Sequence, residues 1–150
     1  MANTFTQLYY HIVFSTKNRT PVINEKWESK LYQYIAGIGS NKNQKILLVN
    51  GYKDHIHILI SLNPNACLSD VIRDIKSGST KYINDNNFVN FKFYWQEGYG
   101  AFSCSSSQIE KIYRYIKNQK EHHQKQTFKE EYISFLKLNQ IEFDERYVFG

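Results

Sequence analysis

Cysteine, proline and methionine are scarce in this chain of 150 residues, and no apolar run is long enough to span a bilayer. Cys67 and Cys104 stand too far apart for a CxxC metal clip, and two cysteines do not make a disulfide framework. Both read as ordinary packed thiols. The two prolines, Pro21 and Pro64, fall between periodic segments, so neither interrupts an element. There is no internal repeat, low-complexity block or linker, and residues 1–150 read as a single domain. A charged leader followed by an apolar stretch is also missing, and the expected compartment is the cytoplasm.

Aromatic residues, by contrast, are abundant: 12 Tyr, 10 Phe and 2 Trp. Basic residues outnumber acidic ones 19 to 14, a net charge of +5, which tilts the choice of partner towards polyanions. Aromatics mixed with cations suit a surface that stacks bases and neutralises phosphates. They suit a β-rich core equally well, and composition does not separate the two.

Residues 8–14 are aromatic and β-branched and predict a first strand. Asn24 is a candidate cap for a helix over 25–38, where Trp27, Leu31, Tyr34, Ile35 and Ile38 recur at helical spacing. Strands follow over 45–50 and 55–62, joined by the short link 51–54. A second helix runs over 69–83, with Ser69 as its candidate cap. Short strands are predicted over 91–96 and 101–104, then a long helix over 108–123 and a last one over 128–138. The order β-α-β-β-α-β predicts an α+β, ferredoxin-like split βαβ fold. Its antiparallel sheet carries two helices on one face and leaves the other free for a ligand or another chain.

The most informative stretch is His55-Ile56-His57-Ile58-Leu59-Ile60. Strand side chains alternate, so His55 and His57 share one face while Ile56, Ile58 and Ile60 point into the helix-covered core. Neutral imidazole is the commonest metal ligand, and this spacing lets two rings reach one cation. Asp54 is a turn residue that could also orient an imidazole. His11, on the opposite register from Ile12 and Phe14, is structural by default.

A divalent site needs a third ligand, and the long helix offers one. Tyr115 and Gln119 lie four apart on the same edge, beside the apolar stripe of Ile109, Ile112, Tyr113 and Ile116. If that edge meets the histidines, Gln119 completes the site and Tyr115 sits one turn away. His122 falls near them, but a histidine pair at a helix end is ordinarily a favourable dipole interaction.

The His55-Ile56-His57 segment resembles the HUH motif, and Tyr115-Ile116-Lys117-Asn118-Gln119 resembles the Y-x-x-x-Q helix of single-tyrosine HUH transposases, both the small insertion-sequence type and its repeat-associated relatives. Segments 10–17, 98–103 and 119–123 are similar to that family too, so the resemblance covers most of the chain. It implies a ferredoxin-like fold with a C-terminal tyrosine-bearing helix. It also implies cleavage and rejoining of single-stranded DNA with Mg²⁺ or Mn²⁺. Carried over by motif, His55, His57 and Gln119 bind the metal, and Tyr115 is the nucleophile that takes the 5′ phosphate and frees a 3′-OH. Insertion-sequence members are homodimers in which the tyrosine helix of one subunit can complete the site of the other.

Candidate DNA contacts are Lys17 and Arg19 after the first strand, Arg73, Lys76 and Lys81 on the second helix, and Tyr99 and Phe102 near the glycine turn. Single-stranded DNA, with a hairpin implied by the family, is the expected partner. Competing readings are an RRM-like nucleic-acid-binding module, which lacks its aromatic RNP1 pattern here, and a two-histidine phosphoesterase, which lacks its second motif. A domesticated nuclease that no longer mobilises DNA is a third.

Overall fold

The structure, a computed structural model, describes residues 3–123 and 125–148. Strand β1 (Tyr9–Ser15) leads through a 3₁₀ turn at Lys17–Arg19 to helix α1 (Glu28–Asn41). A hairpin of β2 (Lys45–Tyr52) and β3 (His55–Ser61) follows, then α2 (Leu68–Asp85) and β4 (Gly100–Cys104). Three helices complete the chain: α3 (Ile109–Lys117), α4 (Gln119–His122) and α5 (Phe128–Leu138). The sheet order is β2-β3-β1-β4, with every neighbouring pair antiparallel. Strand β3 is thus inserted between β1 and β2, the split βαβ arrangement of an α+β ferredoxin-like fold. Among the described residues, no helix is long and apolar enough to cross a membrane.

Alternation along the strands sorts the side chains between two cores. Ile12, Phe14, Ile56, Ile58 and Ile60 pack against Leu31 and Ile35 of α1 and Val71, Ile72 and Ile75 of α2. The opposite face is not open, as the sequence led us to expect. Val13 and Phe102 pack with Phe128, Tyr132 and Leu136 of α5, and Leu59 and Cys104 with Ile116 of α3. Those strand residues would otherwise face water, and burying one such side chain is worth about 1.5–3 kcal/mol. The C-terminal helices therefore form a second layer over the histidine face. Gly100 makes room for it, since a Cβ there would lie 2.7 Å from Tyr132 Cε2.

Three local differences from the sequence reading have identifiable causes. Residues 25–27 form a turn before α1, and Asn24 caps it by accepting from the Lys26 N–H at 2.9 Å. The segment predicted as a strand over 91–96 makes only a bridge from Trp95 to Thr16. The Asn84 side chain of α2 takes both the N–H (2.8 Å) and the carbonyl (3.2 Å) of Phe93, so those groups are lost to a ladder. The helix predicted over 108–123 breaks at Asn118, where the Asn50 side chain of β2 donates to the carbonyls of Ile116 (2.9 Å) and Lys117 (3.1 Å).

The β2–β3 turn that delivers His55 depends on Gly51. A Cβ at Gly51 would run into the His55 carbonyl oxygen and lie 2.9 Å from Ile56 Cα. Because both obstacles are backbone, Gly51→Ala is expected to cost about 3 kcal/mol, read as a lower denaturant midpoint with an unchanged slope.

Candidate active site

His55 and His57 project from β3 into the layer beneath α3, α4 and α5, and both are buried. Asp54 Oδ1 lies 2.8 Å from His55 Nδ1. His55 Nε2 faces Gln119 Oε1 at 3.1 Å and Glu131 Oε1 at 3.4 Å. With oxygen acceptors on both sides, the ring satisfies them only as the imidazolium. Burial opposes that charge, but the bonds to Asp54 and Glu131 outweigh it and push the group up to about 9.

His57 has a different environment. Its Nδ1 lies 2.7 Å from His11 Nε2, and its Nε2 lies 3.0 Å from Glu131 Oε1. Burial lowers its pKa despite the nearby carboxylate, and burial with His57 beside it pushes His11 well down. The ionised Glu131 can only accept, so the proton of a neutral His57 sits on Nε2, and its Nδ1 accepts from the Nε2–H of a neutral His11, which orients the ring. His11 is thus more than a strand residue: β1 places it on the histidine face.

Helix α4 brings Gln119 and, one turn on, His123. His123 Nδ1–H donates to the Gln126 carbonyl (2.7 Å), and Nε2 points at Gln119 Oε1 (3.0 Å) and Glu131 Oε1 (3.2 Å). His122 lies apart from this cluster, its ring stacked on Tyr115 with centroids 4.4 Å apart. The restart of the helix after Asn118 puts His123, four residues after Gln119, on the side that faces the sheet.

Glu131 is the group the sequence reading missed. It is 2 % exposed, on α5, and its two oxygens serve different partners. Oε1 meets the three imidazoles. Oε2 accepts from Gln119 Nε2 at 3.2 Å and, through a short bond, from the Tyr115 hydroxyl. Burial works against its charge, but His57, His123 and His55 together keep the carboxyl well below the usual carboxylate range. Burial and that neighbouring negative charge push the Tyr115 phenol well above its ordinary value. The signal was present in the sequence: Glu131 interrupts the apolar stripe Phe128, Tyr132, Phe135 and Leu136 at helical spacing.

Ligating atoms of His55, His57, His123 and Glu131 lie within 4.8 Å of one another. A buried carboxylate among three imidazoles, with an amide oxygen alongside and no thiolate, is a donor set that suits a divalent cation. The cluster could hold a metal ion, with the proton on His55 Nε2 marking one coordination direction.

The remaining sequence candidates do not join this site. Arg73 pairs with Asp70 and Asp74 (3.2 and 3.3 Å) and Lys81 with Asp85 (2.7 Å). Lys76 Nζ is spent on the carbonyls of Gln96, Glu97 and Gly98 at 2.6–3.2 Å. Phe102 is 5 % exposed and stacked on Phe135, so it packs the second core and offers no open face. Tyr99 is exposed, 5.8 Å from the Lys76 ammonium. Lys17 lies over the Tyr94 ring at 5.6 Å, and Arg19 holds a left-handed backbone, φ 55°.

Residues 4–119 match the model of the IS200-like transposase family. The chain belongs to that family. It is 23% identical over 122 residues to the ISDra2 transposase TnpA of Deinococcus radiodurans, covering 75% of this chain and 84% of the relative. To the transposase of insertion sequence element IS200 from Salmonella typhimurium it is 28% identical over 127 residues, 81% of this chain and 82% of the relative. A crystal structure assigned as a transposase from D. radiodurans R1 superposes with a TM-score of 0.65 at 19% identity, covering 79% of this chain and 95% of that one. A REP-associated tyrosine transposase, solved bound to a REP hairpin, gives 0.62 at 14% identity, covering 82% and 73%. The chain is therefore a transposase, of a family of DNA endonucleases and strand transferases. Its matched segment ends at Gln119, so His123 and Glu131 lie beyond it.

Proposed function

We propose that this transposase cuts and rejoins single-stranded, hairpin-containing DNA through a covalent 5′-phosphotyrosine at Tyr115. Mg²⁺ or Mn²⁺ would be held by His55, His57 and Gln119, with His123 and Glu131 closing the set. One observation carries the reading: a single buried carboxylate, Glu131, touches the His57 imidazole through one oxygen and the Tyr115 phenol through the other. Nucleophile and cation site are thus joined by one rigid group. The hairpin in the REP-associated relative supports the choice of substrate.

In the cleavage step the Tyr115 oxygen forms a bond to phosphorus, and the bond from phosphorus to the 3′ oxygen breaks. The leaving oxygen takes a proton and becomes the free 3′-OH; a later 3′-OH reverses the exchange without ATP. A crevice of about 220 Å³, lined by Tyr115, Gln126, Glu131, Ser134, Phe135 and Leu138, gives the phosphate a way in. Glu131 Oε2 aligns the phenol and is the nearest acceptor for its proton, but the imidazoles around it make it a weak base. A divalent cation held by these residues would supply positive charge that eases phenol ionisation and offsets the charge of the phosphate.

All of these groups come from one chain. In this reading the site is assembled within one chain, with pairing into a homodimer expected from the resemblance; the cytoplasm is the compartment this reading assigns. An RRM-like module fits less well, because its sheet would have to be open and this one is covered. The test is a labelled hairpin oligonucleotide incubated with the protein and Mn²⁺ or Mg²⁺, then run on a denaturing gel. A covalent protein–DNA band that needs the cation is expected; its absence across a panel of hairpins, with the DNA still bound, would reject the mechanism.

A further inference from the structure

Away from the catalytic layer, the protein carries a groove of about 1030 Å³ between the segment after β1 and the irregular stretch after α2. A smaller pocket of about 200 Å³ continues it, sharing Val22, Phe91 and Lys92. No aspartate or glutamate lines either one. Lys17, Lys53 and Lys92 do, and their ammonium groups rest over aromatic rings: Lys17 and Lys92 both over Tyr94 (5.6 and 5.5 Å), and Lys53 over Tyr52 (5.6 Å). This contrasts with α2, where Arg73 and Lys81 are neutralised by aspartates. Phe91 and Tyr94 are 48 % and 45 % exposed, large aromatic side chains that reach water.

Two further observations point to a ligand. The left-handed, non-glycine backbones of Asn18 and Asn87 (φ 59° and 53°) occur along these walls, and such conformations cluster at ligand sites. The groove also borders the reaction centre through the β2–β3 turn. Lys53 lines it, the preceding Tyr52 stacks on His123 with ring centroids 5.3 Å apart, and the following Asp54 bonds His55.

Lysines in a lining without acidic residues, exposed aromatic side chains and the side-chain amides of Asn87 and Asn90 are the combination that binds unpaired nucleotides. We propose that this groove holds a single-stranded stretch of the DNA substrate flanking the hairpin. Phe91 and Tyr94 stack bases, Lys17, Lys53 and Lys92 meet phosphates, and the asparagine amides contact base edges. The inference rests on the DNA-cutting function above and adds where the unpaired strand lies.

The test is fluorescence anisotropy on the full chain with a hairpin carrying single-stranded flanks and with the same hairpin made blunt. Lys17→Gln/Lys92→Gln and Phe91→Ala/Tyr94→Ala are each expected to weaken binding of the flanked hairpin by about tenfold or more and to leave the blunt one within about twofold. The lysine pair should also flatten the salt dependence by about 1.4 in log–log slope. Flanked-hairpin affinities within about twofold of wild type, in variants with unchanged melting temperature, would overturn the proposal. Should a variant fail to fold, photo-cross-linking decides on the wild-type chain with iodouridine in the flank. Adducts on Phe91 or Tyr94 uphold the groove, and adducts confined to other surfaces reject it. Loss of the covalent band with intact groove binding would instead count against the Tyr115 mechanism.

Discussion

Tyr115→Phe is expected to abolish the covalent protein–DNA band, a loss of at least about a thousandfold in cleavage rate, while affinity for the hairpin stays within about twofold. The change removes one oxygen and keeps the ring. That ring packs edge-on to Phe135 (5.6 Å between centroids) and stacks on His122, so the layer over the sheet should persist. The hydroxyl's hydrogen bond to Glu131 is lost, but Glu131 Oε2 keeps Gln119 Nε2 at 3.2 Å. A stability change of no more than about 1–2 kcal/mol follows. Denaturing gels read the adduct, anisotropy reads the binding, and urea unfolding reads the fold. Undiminished adduct in Tyr115→Phe would move the nucleophile to another residue.

Glu131→Gln should be nearly as damaging, by a different route. The substitution keeps the shape and removes the negative charge that meets three imidazoles. Adduct formation is expected to fall at least about a hundredfold, and Mn²⁺ affinity, measured by calorimetry without DNA, by about tenfold or more. The metal-free protein should also change its pH response. His55 is raised by Asp54 and Glu131 to about 9, so the stability it contributes is fully present below its unfolded pKa of about 6.5 and is lost as pH rises through about 9. Removing Glu131 leaves only Asp54, and the fall in stability across that window should shrink. At neutral pH the cost is about 2 kcal/mol, less than for a permanently charged pair because the imidazolium can shed its proton. Unchanged Mn²⁺ affinity in this variant would take Glu131 out of the ligand set and leave it only the task of holding Tyr115.

The parts of this site legible in the sequence were those fixed by local periodicity. Alternation along β3 put His55 and His57 on one face, and helical spacing put Tyr115 and Gln119 on one edge. The parts that were not legible depend on how distant elements dock. His11 joined the cluster because β1 pairs with β3, setting Val13 opposite His57. His123 took the place considered for His122 because the helix breaks at Asn118, and that break is held by Asn50 from another strand. Glu131 needed α5 to be known as a sheet-covering helix; its position inside an apolar stripe was the clue. Asp70 lies three residues from Arg73 and Asp85 four from Lys81, so these pairings could have been read from spacing. The three carbonyls that claim Lys76 come from a loop 20 or more residues on, and no local pattern announces them.

The decisive measurement mixes two inactive proteins, Tyr115→Phe and His57→Ala, under conditions that allow subunits to exchange, and assays the covalent DNA adduct with Mn²⁺. With Tyr115 and His57 meeting through Glu131 inside one chain, neither partner can supply what the other lacks, and the mixture should stay as silent as its components. Recovery of a substantial fraction of wild-type adduct would show that the phenol works on a neighbour's histidines and would contradict the one-chain site.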